Sequence, residues 1–314
     1  MSIMNSKTKA IQEFLGIKIY LDRVQYEVLE VERSDYYHRQ LIRYRGSEDD
    51  EIRAFLFLPE IAMPVGGILV HHQHHGERHL GKSEVAGIAG DPLQAFCPAL
   101  ARQGIITLAP DSICFEDRRR NMTGIMPAFD SEDDHLQHYN EMCYRLLKGE
   151  LLMKKVIEDS SIGISLLEGV QGISADRIGI LGHSYGGNTV LFHSPFDERI
   201  QFSCSSGAAC SYRNKLDNET GIELAEVIPG FYKEYDIDDL VKGIAPRKLL
   251  LLSGTNDKYS RDAGDLFEGA KKVYSEYGCE SNIFWQDYKG GHAITEERFD
   301  FIVNWFKKEF KRTK

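Results

Sequence analysis

Apolar positions in this chain gather into short runs at 53–58, 67–71, 105–109, 177–181, 202–206, 248–253 and 283–288, most of them bounded by Gly, Pro, Asp or Ser. Runs of that length with such boundaries read as strands. Between them, at 92–102, 151–169, 265–277 and 296–311, the apolar spacing switches to a helical period. Strands alternating with helices predict an α/β fold, a mostly parallel sheet with helices on both faces. The start of the chain differs. Segments 27–31, 41–45 and 52–58 follow one another with only turns between them, which predicts antiparallel N-terminal strands.

No internal repeat, low-complexity tract or Pro/Ser-rich linker divides the chain. The expected organisation is one catalytic domain over 41–314 with an N-terminal extension, 1–40, packed on it. Two stretches, near 112–149 and 211–236, are too long to be simple connections. Long excursions from α/β sheets tend to be lids or binding walls. They supply the candidate substrate-binding residues Met126 and Phe129 in the first and Phe231 and Tyr232 in the second. The competing reading of these side chains is ordinary packing.

With 314 residues and 42% apolar content, the chain is long enough for one large domain with a full core. A formal charge of −10 argues against nucleic acid as a partner, since the one basic run, Arg118 to Arg120, follows Glu116 and Asp117. The six cysteines are scattered without a C-x-x-C pair and read as reduced, small hydrophobic residues. Residues 1–10 show no apolar signal-peptide core, and no apolar run is long enough to span a bilayer. The expectation is a soluble cytoplasmic protein with no membrane or nucleic-acid partner; a homo-oligomer is compatible with the sequence.

The strand expected at 177–181 runs into Gly182-His183-Ser184-Tyr185-Gly186-Gly187, and a helix-compatible segment follows at 188–193. Strand, G-x-S-x-G turn and helix together form the nucleophile-elbow pattern. It lifts one serine hydroxyl clear of the sheet edge above a helix N-terminus. A hydroxyl is a weak nucleophile until a base takes its proton, so an acid and a histidine should follow in the chain. Asp257 lies in the turn leaving the strand 248–253. His292 lies on the Gly-rich loop after the strand 283–288. Both stand at strand carboxyl ends, where sites of open α/β sheets gather. The predicted catalytic set is therefore Ser184, Asp257 and His292. Asp236, Asp238 and Asp239 are rival acids but read better as the acidic start of a helix.

The oxyanion of such a reaction needs two backbone N–H donors. One is expected from Tyr185, the residue after the nucleophile, and the other from Gln73 or His74 in the loop after the strand 67–71. That loop region carries His71, His72, His74, His75 and His79, a density that also suggests a metal site. Neighbouring histidines on a strand point to opposite faces and no cysteine completes a familiar ligand set, so no metal and no cofactor are predicted.

From about Leu41 to Phe306 the chain resembles the α/β-hydrolases of the dienelactone-hydrolase and acetyl-xylan-esterase-like group. The resemblance rests on His72-Gln73 followed by Gly81-Lys82, on Leu108-Ala109-Pro110-Asp111, on the elbow 182–187, on Ala245-Pro246-Arg247, and on Gly254 to Asp257 with His292. It implies the α/β-hydrolase fold and hydrolysis of a carboxylic ester, often a small acyl group such as acetyl, hence a serine esterase or deacetylase. Dienelactone hydrolase itself uses a cysteine where Ser184 stands, so its lactone specificity is not carried over. Arg247 reads either as an anchor of the loop entering its strand or as a surface residue.

The leading expectation is a cofactor-free serine hydrolase acting on a small-molecule ester. The alternatives are an amidase or peptidase with the same triad, a non-catalytic binding protein of the same fold, and a metal-dependent hydrolase.

Overall fold

The computed structural model describes residues 4–61, 63–74 and 76–312. Nine strands form a single sheet: β1 Glu27–Arg33, β2 Tyr37–Arg45, β3 Glu51–Pro59, β4 Gly66–His71, β5 Ile105–Pro110, β6 Ile178–His183, β7 Phe202–Ser206, β8 Lys248–Gly254 and β9 Ile283–Tyr288. Ten helices accompany them: α1 Ser6–Leu15, α2 Lys82–Val85, α3 Phe96–Ala101, α4 Ser131–Leu147, α5 Leu152–Glu168, α6 Tyr185–His193, α7 Tyr212–Asp217, α8 Ile237–Gly243, α9 Ala263–Glu276 and α10 Glu296–Arg312. The strand order is β1-β2-β3-β5-β4-β6-β7-β8-β9. Pairing is antiparallel from β1 through β3 to β5 and parallel from β5 through β4 to β9. The α/β-hydrolase architecture expected from the sequence is present, with its antiparallel start.

Strands β4, β5, β6 and β8 are buried almost throughout, which is why they read as near-continuous apolar runs rather than alternating ones, while β9 at the sheet edge is half-buried. In β8, Leu249 and Leu251 pack with Leu240 of α8 and Leu266 of α9. Leu250 and Leu252, of opposite parity, pack on the other face with Phe96 of α3 and Phe306 and Phe310 of α10. Period-two alternation thus divides one Leu run between two helical layers. Further along the first face, Ile164 and Leu167 of α5 cover Leu69, Leu108 and Ile180.

The boundary expected at residue 40 falls inside β2, and β1 pairs with β2, so residues 27–40 are part of the sheet. The first excursion contains the 17-residue α4, whose buried face is mostly polar, with Asp134, Gln137, His138, Glu141 and Arg145, so no apolar period marks it. The second folds into α7 and short 3-10 turns. Asp236 caps α8 and shares a capping box with Asp239. Asp238 pairs with Lys242 at 2.6 Å, so all three rival acids are engaged on α8 and none reaches the site.

Arg247 is an anchor. It is buried, and its guanidinium donates to the carbonyls of Ser194, Asp197 and Ile200 at 2.6, 2.8 and 2.8 Å. All six cysteines are free. Among the described residues, no helix is long and apolar enough to cross a membrane.

Candidate active site

At the elbow, β6 ends at His183 and α6 begins at Tyr185, leaving Ser184 between them at φ 54° and ψ −119°. The left-handed strain is carried by the serine itself. The flanking glycines have another cause, close backbone approach. A Cβ on Gly182 would stand 2.2 Å from the backbone of Gly186, and one on Gly186 would stand 2.5 Å from the carbonyl oxygen of His71. Only glycine lets the elbow close and lie against the end of β4.

His292 Nε2 lies 2.8 Å from Ser184 Oγ, and its Nδ1 lies 3.0 Å from Asp257 Oδ1. Asp257 is buried and caps a short 3-10 turn, accepting from Tyr259 N at 3.0 Å and Ser260 Oγ at 2.7 Å. Burial alone would raise its pKa. The hydrogen bonds from His292, Ser260 and Tyr259, with the attraction of the imidazole, outweigh that and hold the carboxyl below its ordinary range. An ionised carboxylate only accepts, so Nδ1 carries the imidazole proton and Nε2 is left to accept from the serine. The ring of His292 is held between His183, with centroids 4.8 Å apart, and the edge of Tyr259 at 4.9 Å. Arg298 donates to the carbonyls of His292 and Ser253, tying the histidine loop to β8.

The loop after β4 lies beside the elbow. Its neutral His72, whose pKa burial lowers to about 4, bonds the Gln73 carbonyl at 2.8 Å through Nδ1 and accepts from Ser112 N at 3.1 Å through Nε2. The Gln73 side chain is turned onto Glu84, a buried carboxyl raised to about 7 by desolvation. Tyr185 N stands at the first position of α6, where no intrahelical acceptor exists. Neither it nor the N–H groups of Gln73 and His74 bond to any described residue. The Tyr185 ring is buried, with its hydroxyl 2.7 Å from Ser112 Oγ.

A cavity of about 500 Å³ opens over Ser184 and His292, walled by His74, Arg78, His135 and Glu223 among others. Met126, Phe129, Phe231 and Tyr232 are not in that wall. Met126 and Phe129 project into solvent, and Tyr232 is exposed. Phe231 is buried among Phe14, Phe192, Tyr212 and Tyr235, as packing. The second excursion instead lines the cavity with Lys215, Ile222, Glu223, Leu224 and Glu226, and the first contributes His135. Large apolar side chains were not the signal that picked out the wall, which mixes charged residues with Ile222 and Leu224.

Among the described residues, the histidines in and after β4 do not converge as ligands of one ion. His71 bonds Ser160, His72 clamps the loop, and His74 pairs with Glu223; His75 lies outside the described residues. The carboxylates of Asp111, Glu116 and Asp117 converge as a cation site would. The cation there is the buried Lys82 ammonium, 2.7, 2.5 and 2.7 Å from the three.

A second Ser-His-Asp set lies deeper. Ser160 Oγ is 2.8 Å from His193 Nδ1, and His193 Nε2 is 3.3 Å from Asp197. All three are buried, and Asp197 is also bound by Arg199 at 2.7 Å. It has no access for a substrate and serves packing.

No known protein-family profile matches the sequence. A protein of Bacillus subtilis (strain 168) named "Putative hydrolase YtaP" is 26% identical over 257 residues, covering 77% of this chain and 79% of that one. A crystal structure of a putative acetyl xylan esterase from Bacteroides fragilis superposes with a TM-score of 0.75 at 17% identity, covering 96% of this chain and 86% of the other. A glucuronoyl esterase from Solibacter usitatus gives 0.65 at 15% identity, with 98% and 92% covered. With its sheet order, elbow and strand-end loops, the chain has the α/β-hydrolase fold of these two solved structures.

Proposed function

We propose that the protein is a serine hydrolase cleaving a carboxylic ester with a short acyl group, with Ser184 as nucleophile, His292 as general base and acid, and Asp257 orienting the imidazole. The observation that carries this reading is the continuous relay Asp257, His292, Ser184, at 3.0 and 2.8 Å, opening into a cavity. That the fold neighbours are by name esterases supports an ester over an amide.

In this reading Ser184 Oγ attacks the acyl carbon while its proton passes to His292 Nε2, and the carbonyl electron pair moves onto oxygen. Tyr185 N–H and the N–H of Gln73 or His74 receive that oxyanion. Collapse breaks the bond to the alkoxy oxygen, which takes the proton back from His292 and leaves as the alcohol. Water then adds to the acyl-serine by the same route, giving the carboxylic acid and free Ser184.

The test is hydrolysis of p-nitrophenyl esters from acetate to octanoate, beside Ser184→Ala and His292→Ala. Turnover that favours short chains and disappears in both variants is expected. Equal turnover in Ser184→Ala would refute the assignment.

A further inference from the structure

We propose that Arg78 is a carboxylate-binding specificity residue and that the natural substrate is an ester that also bears a free carboxylate. The inference rests on the ester-hydrolase reading and names the substrate class for that site.

Arg78 follows β4 and is 3% exposed, yet it stands in the wall of the cavity that holds Ser184 and His292. Its Nε donates to His138 Nδ1 at 3.0 Å, and the guanidinium lies over Phe115, 5.9 Å from the ring centroid. Those contacts use one N–H and one face of the group. Nη1 and Nη2, with four N–H between them, meet no acceptor among the described residues. The residue as a whole is buried, so a fork without a protein partner at the cavity wall is open to a ligand.

The carboxylates around it make their hydrogen bonds to other side chains. Glu223 is bound by His74, and Glu226 holds Lys215 through both oxygens at 2.7 and 2.8 Å. Asp134 holds Arg119 at 2.7 Å. His138 is neutral, since it accepts from Arg78 and burial lowers its pKa to about 3. Burial and the nearby Arg78 lower that of His135 as well. Arg78 and Glu223 attract one another across the site, but no hydrogen bond joins them, so the guanidinium fork stays open to a ligand. A phosphate dianion would meet Glu223 and Glu226 of the same wall as like charges. The planar fork fits the two oxygens of a carboxylate.

The carboxylate has two sources. It belongs either to the acyl half, as in a half-ester of a dicarboxylic acid, or to the alcohol half, as in an acylated hydroxy acid. Two substrate pairs separate them: mono-p-nitrophenyl succinate against its methyl-capped diester, and 4-acetoxybenzoate against its methyl ester. We expect kcat/KM to favour the free carboxylate by about tenfold or more in one pair. That ratio should fall toward one in Arg78→Met and be intermediate in Arg78→Lys, which keeps the charge without the fork. Wild-type ratios near or below one in both pairs would overturn the proposal. Should Arg78→Met fail to fold, the wild-type ratios and Arg78→Lys decide.

A binding arm is independent of turnover. Ser184→Ala protein titrated by calorimetry with monomethyl succinate and with 4-acetoxybenzoate should bind one of them, about tenfold more weakly once Arg78→Lys is added. Absence of binding to both overturns the carboxylate site. If wild-type protein hydrolyses no ester and a phosphonate fails to label Ser184, the ester-hydrolase reading falls, and this titration still decides on Arg78.

Discussion

His292 Nε2 lies 2.8 Å from Ser184 Oγ although 108 positions of sequence separate the two residues. The contact exists because β6 and β9 belong to the same parallel run and both release their loops at one edge. Parallel order sends every loop that follows a strand's carboxyl end to that edge, so residues far apart in sequence meet there.

Removing a member of the relay should abolish catalysis more than its contacts alone suggest. Ser184→Ala and His292→Ala are each expected to lower kcat by about 10⁴-fold or more. Asp257→Asn should cost about as much by favouring the wrong imidazole tautomer. Steady-state kinetics with p-nitrophenyl acetate, beside thermal melts to confirm folding, checks all three.

Ser160→Ala discriminates between the two serine–histidine pairs. It removes a buried hydroxyl that bonds both His71 and His193 at 2.8 Å, so a stability loss of about 1–3 kcal/mol is expected. Turnover and phosphonate labelling should persist at wild-type extent. Loss of labelling in this variant, with the fold intact, would move the nucleophile away from Ser184.

Gly186→Ala tests why the elbow needs glycine. Its Cβ would fall 2.5 Å from the His71 carbonyl oxygen and 2.9 Å from that of His72, both main-chain atoms. The ends of β4 and β6 must then separate, with a loss of a few kcal/mol and a displaced oxyanion loop. Chemical denaturation and kcat should fall together; an unchanged melting curve would contradict the geometry.

Arg247→Met leaves three buried carbonyls, those of Ser194, Asp197 and Ile200, without their donor. Loss of a buried charged donor typically costs about 3–5 kcal/mol. Guanidinium unfolding should show a lower midpoint of that size, with KM little changed in the surviving folded protein.

Glu223 governs part of the acid limb of stability. Burial would raise its pKa, but the paired His74 and the nearby Arg78 outweigh this and hold the carboxyl at about 2. A folded pKa below the unfolded one gives stability that is present above about pH 4.5 and lost as pH falls toward 2. Glu223→Gln should therefore flatten that part of the curve. The wild-type and variant curves should converge by pH 2, read as melting temperature against pH.

The apolar runs determined the strands on their own terms, since residues covered on both faces by helices must be continuously apolar. The observed strands at 202–206 and 283–288 coincide with those runs, and the others differ by a few terminal residues. The order of Ser184, Asp257 and His292 was legible for a related reason, because each stands where an apolar strand gives way to glycine or a turn. Asp236 was equally legible as a helix cap. Helix α4 was not, because a surface helix with few buried apolar positions leaves little period to read.

The wall of the cavity was decided only in three dimensions. Met126, Phe129 and Tyr232 looked like pocket residues because apolar side chains usually seek cover, yet the excursions turn them outward and set Phe231 into the core. Arg78, Glu223 and Lys215 carry ordinary surface chemistry in the sequence. Their significance comes from burial and from which charges find partners, and both depend on the folding of segments distant in the chain. Local pattern specifies what each segment becomes; which side chains meet in the wall over Ser184 is a property of the assembled fold.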